Sequence, residues 1–269
     1  MYTKPFLKWA GGKHKLVPFI ESHLPTKARK RLIEPFAGSA ALCTIWKRLL
    51  NDISADLICL FSALKSEREQ FIRYARSFFT PQNNNDSRFY ELRERFNNSN
   101  NSIERAALFV YLNRHAFNGL CRYNSQGRFN VPFGKYKAPY FPEVEMSAFV
   151  RKSTRIELSC NDFQTTLDKV EDCDTVYCDP PYVPLSETAS FTAYAQGGFA
   201  HDDQIRLSEA AEQTAQTSQG VLISNHDTGF TRKIYHRATL KTVEVQRNIA
   251  AKGSSRKKVG ELLAIYEWI

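Results

Sequence analysis

Residues 175–182, with the sequence TVYCDPPY, decide the fold, because an apolar run there passes directly into a rigid polar loop, as at the end of a buried strand. Each proline fixes its own φ and keeps the residue before it extended. We therefore expect Asp179 and Pro180 to be extended, with their carbonyl groups pointing apart. Such a loop offers several hydrogen-bond acceptors and few donors.

An acceptor-rich loop beside an aromatic ring is suited to gripping a planar amino group. The Asp179 carboxylate and a neighbouring carbonyl can each accept a hydrogen bond from an exocyclic NH2, while the Tyr182 ring stacks on the attached heterocycle. The same residues would also suit a proline-stiffened surface turn. The surrounding sequence decides between these two interpretations.

Strand and helix patterns alternate on both sides of this loop. Residues 31–36 predict a buried strand, 39–50 a helix and 49–53 the start of a second strand. Residues 57–115 have helical spacing, interrupted by an asparagine-rich loop at 81–86. Further strands are predicted at 156–159, 175–178, 221–224, 239–245 and 262–269, with a helix at 203–217. The predicted fold class is α/β, a doubly wound, Rossmann-like sheet with an inserted helical module.

The first α/β unit has the features of a nucleoside-binding site. Gly38 follows the first strand, where backbone approaches a ligand closely, and Asp52 ends the next strand, where a carboxylate can accept from both ribose hydroxyls. The three-glycine pyrophosphate fingerprint is missing, which favours S-adenosylmethionine over NAD. Upstream, residues 8–13 (KWAGGK) add an aromatic ring and two cations around a flexible turn. Ordinary tight turns are the alternative for both features.

The segment 105–142 contains basic and aromatic residues but no Asp or Glu. Basic side chains neutralise phosphates, and aromatic rings between them can stack or wedge between bases. Asparagines at positions 113, 118, 124 and 130 add side chains able to reach phosphates or base edges. Interspersed glycines predict that much of the segment is loop. The alternative is an aromatic core with a solvated, charged rim.

The composition of the 269-residue chain predicts a cytoplasmic protein with a full hydrophobic core. No apolar run is long enough to span a membrane, and the first residues do not resemble a signal peptide. Six cysteines without a CxxC pair predict reduced, buried thiols, and no metal site is expected. The net charge of +9 favours a polyanionic partner, although ribosomal association or solubility would also account for it.

Five motifs together resemble the Dam-type DNA adenine-N6 methyltransferases of bacteria and phages. They are residues 8–13 (KWAGGK), 34–38 (EPFAG), 112–137 (LNRHAFNGLCRYNSQGRFNVPFGKYK), 179–182 (DPPY) and 224–227 (SNHD). The resemblance covers nearly the whole chain, in the order of the α-group of amino methyltransferases. It implies double-stranded DNA as partner, S-adenosylmethionine as cofactor and GATC as target.

The resemblance also implies roles for individual residues. The catalytic residues would be Asp179, Pro180, Pro181 and Tyr182. The cofactor pocket would be lined by Trp9, Lys13, Phe36, Gly38, Asp52, Asp162, Phe163 and Asp179. Lys8 and Tyr136 would contact the region of the first guanine, and Leu120, Arg122 and Pro132 the later base pairs. Phe117 and Asn118 would fill the space left by a flipped adenine. Phosphates would be bound by Arg114, Asn124, Asn130 and Lys137.

The pattern and the resemblance together predict the domain organisation. Residues 57–144 would recognise DNA, and residues 1–56 with 145–269 would form the catalytic domain that binds the cofactor. The basic segment 247–258 would either contact flanking phosphates or be a solvated loop. Residues 224–227 are expected to form a strand-ending turn that caps the next helix, with a supporting role. A monomer is expected, because each strand of a palindrome can be methylated in a separate encounter.

Two positions depart from the family pattern. Ser39 and Ala40 stand where similar proteins often have a second glycine, which would tighten the cofactor loop. Phe117 stands where a tyrosine is expected, and the lost hydroxyl should matter little because intercalation uses the ring face.

The predicted reaction is direct methyl transfer to N6 of a flipped adenine, with Asp179 and the Pro180 carbonyl holding the amino hydrogens. The nearest alternative is methylation of cytosine N4, RNA or a protein glutamine. The Asp before Pro-Pro and the long recognition segment argue against it. A DNA-binding protein with a decayed cofactor site, suggested by Ala40, is a second alternative. Repair marking, phage protection and pairing with a restriction enzyme are all compatible with the sequence.

Overall fold

The computed structural model describes residues 4–9, 11–25, 31–42, 46–185, 198–246 and 258–267. Their packing divides the chain into two compact units. The first unit comprises residues up to 19 and residues 37–160, and the second comprises residues 20–36 and those from 161 onward. Residues 247–257, most of the predicted basic loop, lie outside the described residues.

The described residues form helices and strands in alternation. The strands are β1 (Arg31–Glu34), β2 (Lys47–Asn51), β3 (Ile156–Ser159), β4 (Asp174–Cys178), β5 (Val221–His226), β6 (Thr239–Gln246) and β7 (Lys258–Tyr266). The α-helices are α1 (Val17–Ser22), α2 (Ala55–Arg76), α3 (Asp86–Asn98), α4 (Ser102–His115), α5 (Glu143–Lys152), α6 (Phe163–Leu167), α7 (His201–Ala215) and α8 (Gly229–Ile234).

The strands of the second unit lie in the order β1, β4, β5, β7, β6. β4 pairs in parallel with β1 and β5, while β7 runs antiparallel to β5 and β6. Every residue of β4 and β5 is buried, as expected of central strands covered on both faces. Because β1 and β4 are parallel, Phe36 and Asp179 follow strand ends at the same edge, where open α/β sheets bind ligands.

Helix α7 covers part of this sheet and contacts β5 and β7. Its buried side chains include Leu207, Ala210 and Ala211, at the spacing of one helical face. The carboxylate of Asp203 accepts a hydrogen bond from the N–H of Ala200 at 2.9 Å and so satisfies a donor at the start of the helix. The alanine-rich sequence therefore gives a well-anchored helix next to β5.

The first unit contains the parallel pair β2 and β3 and the helices α2 to α5. α2 packs against α4 and α5, and the buried side chains include Phe61, Phe71, Phe89, Phe96 and Leu108. α2, α3 and α4 begin at capping side chains that accept hydrogen bonds from first-turn N–H groups, namely those of Ser54, Asn85 and Asn101. The helical run predicted from the spacing is thus three separate, capped helices.

The predicted α/β class with an inserted helical module is confirmed, since α2 to α5 lie between β2 and β3 in the chain. The predicted helix 39–50 is wrong. Its described residues before β2 are not helical, Ala40 has a φ of 53°, and the apolar residues at its end belong to the buried strand β2. The turn expected at 224–227 is also misplaced, because β5 extends to His226 and Thr228 caps α8.

Most rings of segment 105–142 belong to the interior of the first unit. Phe109, Tyr111 and Phe129 are fully buried, whereas Phe117 and Tyr140 are exposed. The structure therefore favours the alternative prediction for this segment, an aromatic core with a charged rim, over a surface of rings that stack on bases.

The cysteines differ from the prediction of buried thiols. Among the five described cysteines Cys178 alone is buried and Cys160 is exposed, so this prediction is wrong.

No helix in the described part of the chain is both long and apolar enough to cross a membrane.

Candidate active site

The loop that follows β4 is held by side chains from β5 and α7. Nε2 of Gln204 donates a hydrogen bond to the carbonyl oxygen of Pro181 at 2.7 Å. Oδ1 of Asn225 accepts one from the N–H of Val183 at 3.0 Å, and Nδ1 of His226 lies 2.6 Å from the Val183 carbonyl oxygen. The backbone is therefore fixed on both sides of the aromatic residue of the DPPY motif.

Gln204 and Asn225 belong to one buried network. Nδ2 of Asn225 donates to Oε1 of Gln204 at 2.9 Å and contacts the hydroxyl of Tyr235 at 3.1 Å. Both amides are thus engaged through oxygen and nitrogen, as burial requires. Only a supporting role was predicted for Asn225, as part of residues 224–227. Gln204 was not predicted, although it is a polar residue on the otherwise apolar face of α7.

Tyr182 has a fixed orientation in this loop. Its hydroxyl donates to Oε2 of Glu261 at 3.0 Å, and its ring meets that of His226 edge to face, with centroids 4.7 Å apart. Burial, together with the negative charge of Asp179, raises the pKa of Tyr182 well above its ordinary value. The hydroxyl therefore stays protonated, and the ring is held as a stacking surface requires.

Three of the predicted cofactor residues form a cluster in the second unit. The rings of Phe36 and Phe163 lie 5.4 Å apart, and the guanidinium group of Arg206 lies 4.0 Å from the Phe163 ring. Arg206 also binds both carboxylate oxygens of Asp162, at 2.7 and 3.1 Å, and this hydrogen bonding lowers the pKa of Asp162. Arg206 was not indicated by the sequence.

Three other predicted cofactor residues lie together in the first unit. The N–H of Gly38 donates to Oδ2 of Asp52 at 3.0 Å, and the N–H of Ser54 donates to Oδ1 at 3.0 Å. Burial raises the pKa of Asp52 despite these two bonds. A Cβ on Gly38 would lie 3.0 Å from Nε1 of Trp9, so glycine allows the indole to approach the backbone. The carboxylate is therefore oriented at the strand end by backbone donors.

Lys13 ends the glycine turn that follows Trp9. The N–H of Gly12 donates to the carbonyl oxygen of Trp9 at 3.2 Å, and Gly11 adopts a φ of 74°. Lys13 is buried, and its Nζ donates to the Gly11 carbonyl oxygen at 2.8 Å. The cation is thus turned toward its own loop.

Seven of the residues predicted to contact DNA are exposed on the first unit: Phe117, Asn118, Leu120, Arg122, Asn124, Pro132 and Lys137. Phe117 is 50% exposed and Leu120 is 39% exposed, so both apolar side chains are accessible on this surface. Exposed apolar side chains among polar ones suit insertion between bases.

Residues 122–130 form a hairpin within this surface. The N–H of Asn130 donates to the carbonyl of Arg122 at 3.1 Å, and the N–H of Asn124 donates to that of Arg128 at 2.9 Å. The Asn124 side chain accepts from two N–H groups of the turn. Nε of Arg122 donates to Oδ1 of Asn130 at 2.8 Å, so a predicted base contact and a predicted phosphate contact are paired with each other.

A charged network anchors the hairpin to the first turn of α2. The carboxylate of Asp56 accepts from the guanidinium group of Arg105 and, at 2.6 Å, from the hydroxyl of Tyr123. Arg105 also donates to the carbonyl oxygen of Phe96 at 2.8 Å. No motif in the sequence indicated this network.

The end of α4 is buried, which the sequence did not indicate. The expectation that Asn113 reaches nucleic acid is wrong, because its amide is fully buried and donates to the carbonyl oxygen of Lys8 at 2.7 Å. Arg114 is also buried, and its guanidinium group donates to the carbonyl oxygen of Phe6. Its role at a phosphate stays a prediction.

Residues 9–249 match the family described as D12 class N6 adenine-specific DNA methyltransferase. The chain belongs to this family. It is 47% identical over 268 residues to the DNA adenine methylase of Escherichia coli K12, covering 98% of this chain and 96% of that protein. The corresponding protein of Vibrio cholerae is 48% identical, with coverage of 98% and 96%, and that of Serratia marcescens is 49% identical, with coverage of 98% for both.

Membership of the D12 class confirms the predicted resemblance and the predicted enzyme type, an adenine-specific DNA methyltransferase. A D12-class enzyme needs a methyl donor and a DNA substrate. Within the described ranges, no three His, Cys, Asp or Glu side chains are grouped as a metal site requires.

Proposed function

We propose that this enzyme transfers a methyl group from S-adenosylmethionine to N6 of a flipped adenine in double-stranded DNA, within the sequence GATC. The observation that carries the proposal is the loop after β4, whose backbone is fixed by Gln204 and Asn225. A rigid loop can hold its acceptors in place before the substrate arrives, and such preorganisation lowers the barrier of the chemical step.

The acceptors in this loop would act on the amino group. Its nitrogen is a weak nucleophile, because its lone pair is delocalised into the purine ring. The Asp179 carboxylate and the Pro180 carbonyl would accept its two hydrogens and favour a pyramidal nitrogen, while the Tyr182 ring stacks on the base. S-adenosylmethionine supplies an electrophilic methyl group on a sulfonium centre. The N6 lone pair would form the new N–C bond as the C–S bond breaks, S-adenosylhomocysteine would leave with the electron pair of that bond, and N6 would release one proton to solvent.

The residues of the two predicted cofactor clusters fit a nucleoside cofactor. Asp52 retains acceptor capacity for a ribose diol, since a carboxylate has about four acceptor sites and two are engaged by backbone N–H groups. Close approach at Gly38 depends on the missing Cβ. We assign Trp9, Lys13, Phe36, Asp162, Phe163 and Asp179 to the same cofactor.

Recognition of DNA is assigned to residues 57–144, and catalysis to residues 1–56 and 145–269. Lys8 and Tyr136 would contact the guanine of the first base pair, and Arg122, Leu120 and Pro132 would read the later base pairs. Phe117 with Asn118 would fill the space of the flipped adenine. Phosphates would be bound by Arg114, Asn124, Asn130 and Lys137. A monomer would suffice for each methylation.

The proposal is tested by incubating the protein with S-adenosylmethionine and a plasmid that lacks adenine methylation. Digestion with nucleases that require, ignore or are blocked by GATC methylation then reports the product. We expect the plasmid to resist the nuclease that methylation blocks and to be cleaved by the nuclease that requires methylation. Methyl incorporation without a change at GATC would contradict the target sequence, and no incorporation would contradict the activity.

A further inference from the structure

Lys8 is held by a single buried side chain at the end of α4. Oδ1 of Asn113 accepts a hydrogen bond from the N–H of Lys8 at 2.8 Å, and Nδ2 donates to the Lys8 carbonyl oxygen at 2.7 Å. Nδ2 also donates to the carbonyl oxygen of Gly119 at 3.3 Å. The Asn113 amide thus satisfies both backbone groups of Lys8, as a neighbouring β-strand would. It also connects the Lys8 backbone to the turn after α4.

Gly119 leaves space for the Lys8 side chain, and Gly134 leaves space for the Tyr136 ring. A Cβ on Gly119 would lie 2.5 Å from the Cβ of Lys8, and a Cβ on Gly134 would lie 2.5 Å from Cε2 of Tyr136. Nζ of Lys8 lies 4.0 Å from the centroid of the Tyr136 ring and 3.5 Å from the carbonyl oxygen of Arg114. The ammonium group and the ring therefore form one cation–π pair on this face of the first unit.

We propose that Asn113 is a positioning residue for target specificity, because it holds the backbone of Lys8 and so places the Lys8 ammonium group beside the Tyr136 ring. This inference rests on the proposed function, which assigns Lys8 and Tyr136 to the guanine of the first base pair. An ammonium group donates, and guanine presents two acceptors in the major groove, O6 and N7, where adenine presents one acceptor and a donor. A shift of the Lys8 backbone would move the donor away from both.

The test compares methylation of a GATC duplex with that of a duplex in which the first G·C pair is replaced by A·T. The measured quantity is the ratio of kcat/KM for the two duplexes. Asn113→Leu removes both side-chain hydrogen bonds to the Lys8 backbone, and Asn113→Asp keeps only the acceptor. Both are expected to lower the ratio by about tenfold or more, the scale of one lost base contact. Gly119→Ala, which blocks the Lys8 path by a different route, should lower it as well.

Asn97 provides a matched control. Oδ1 of Asn97 accepts a hydrogen bond from the N–H of Phe129 at 2.8 Å, and Nδ2 donates to the Phe129 carbonyl oxygen at 3.1 Å. The same pair of contacts thus occurs in the hairpin rather than at Lys8. Asn97→Leu should therefore leave the ratio for the first base pair unchanged. The double variant of Asn113→Leu with Lys8→Ala should discriminate no worse than Lys8→Ala alone, since both remove the same contact.

An unchanged ratio of kcat/KM values in active Asn113 and Gly119 variants would overturn this inference and leave the proposed function intact. Additive losses in the double variant would do the same. Absence of methylation by the unaltered protein on both duplexes would overturn the proposed function and this inference together.

Discussion

Nε2 of Gln204 donates a hydrogen bond to the carbonyl oxygen of Pro181 at 2.7 Å, across 23 positions of the chain. Oε1 of the same side chain accepts from Asn225 at 2.9 Å. A central strand is thus connected to the loop after β4 through one amide. This bond engages the Pro181 carbonyl, and the proposed acceptors of the amino hydrogens are the Asp179 carboxylate and the Pro180 carbonyl.

Gln204→Leu should lower kcat by about tenfold or more without a comparable loss of cofactor affinity. The substitution leaves a carbonyl and an amide without their partner, which costs about 1–3 kcal/mol for a buried group. Gln204→Glu keeps the acceptor for Asn225 but removes the donor to Pro181, so it should lower kcat similarly. Steady-state kinetics and cofactor titration check this, and an unaltered kcat in folded Gln204→Leu would show that the bond does not position the loop.

Asp179→Asn should reduce methyl transfer by more than about a hundredfold, because an amide cannot replace a carboxylate that accepts through either oxygen. DNA binding should persist. Incorporation of labelled methyl groups and gel-shift titration measure the two properties. Glu212→Gln is a control, since that carboxylate pairs with the exposed Arg237 outside every predicted motif and should matter little. Equal losses in both variants would argue against a catalytic role for Asp179.

Arg122→Ala should relax discrimination at one base pair of GATC by about 1–3 kcal/mol. Its guanidinium group is exposed at the start of the hairpin and is oriented by Asn130. Arg128→Ala on the same hairpin should leave discrimination unchanged, because Arg128 bonds to Glu94 and Asn98. Methylation of duplexes with single base-pair changes measures this. A uniform loss on every duplex would instead identify Arg122 as a phosphate contact.

His115 should make the protein less stable below neutral pH. The imidazole is buried, stacks on Tyr111 with centroids 3.9 Å apart, and lies 2.9 Å from the Tyr111 carbonyl oxygen through Nδ1. Burial lowers its pKa from 6.5 to about 4, so the unfolded state binds the proton more readily. The stability it contributes is present above pH 6.5 and is lost as the pH falls toward 4, by up to about 3 kcal/mol.

The check is the pH dependence of unfolding in the unaltered protein and in His115→Gln, which keeps a donor near that carbonyl. The fall in unfolding free energy between pH 7 and pH 4.5 should be smaller in the variant. Parallel curves would contradict the assignment to His115.

Ala40→Gly should raise the free energy of unfolding by up to about 1 kcal/mol. Ala40 has a φ of 53°, a left-handed conformation that glycine adopts without strain. This relief is partly offset by the greater entropy of glycine in the unfolded chain. Denaturant midpoints measure the effect. Ala41→Gly, at a neighbouring residue without a positive φ, should lower the midpoint, and a fall in both variants would refute strain at Ala40.

The strands were largely predictable because their apolar residues are contiguous in sequence. The predicted strand 156–159 has the same first and last residues as β3, and β4 and β5 begin within one residue of their predicted starts. The helix predicted at 39–50 failed, because a short apolar run has the same composition in a buried strand and in a helix. The rings of segment 105–142 were wrongly predicted for a related reason, since a sequence shows that Phe129 is aromatic but not that Phe96 of α3 packs against it.

The sequence by itself determined the chemistry available to this protein: the DPPY loop after a buried strand, the carboxylate of Asp52 after another, the basic segment between them and membership of the D12 class. Such features reside in neighbouring residues and survive in a linear pattern. Tertiary structure alone decided which side chains hold those groups in place. Gln204 reaches Pro181 and Asn113 reaches Lys8 over 23 and 105 positions, and buried amides find partners only when distant segments pack together.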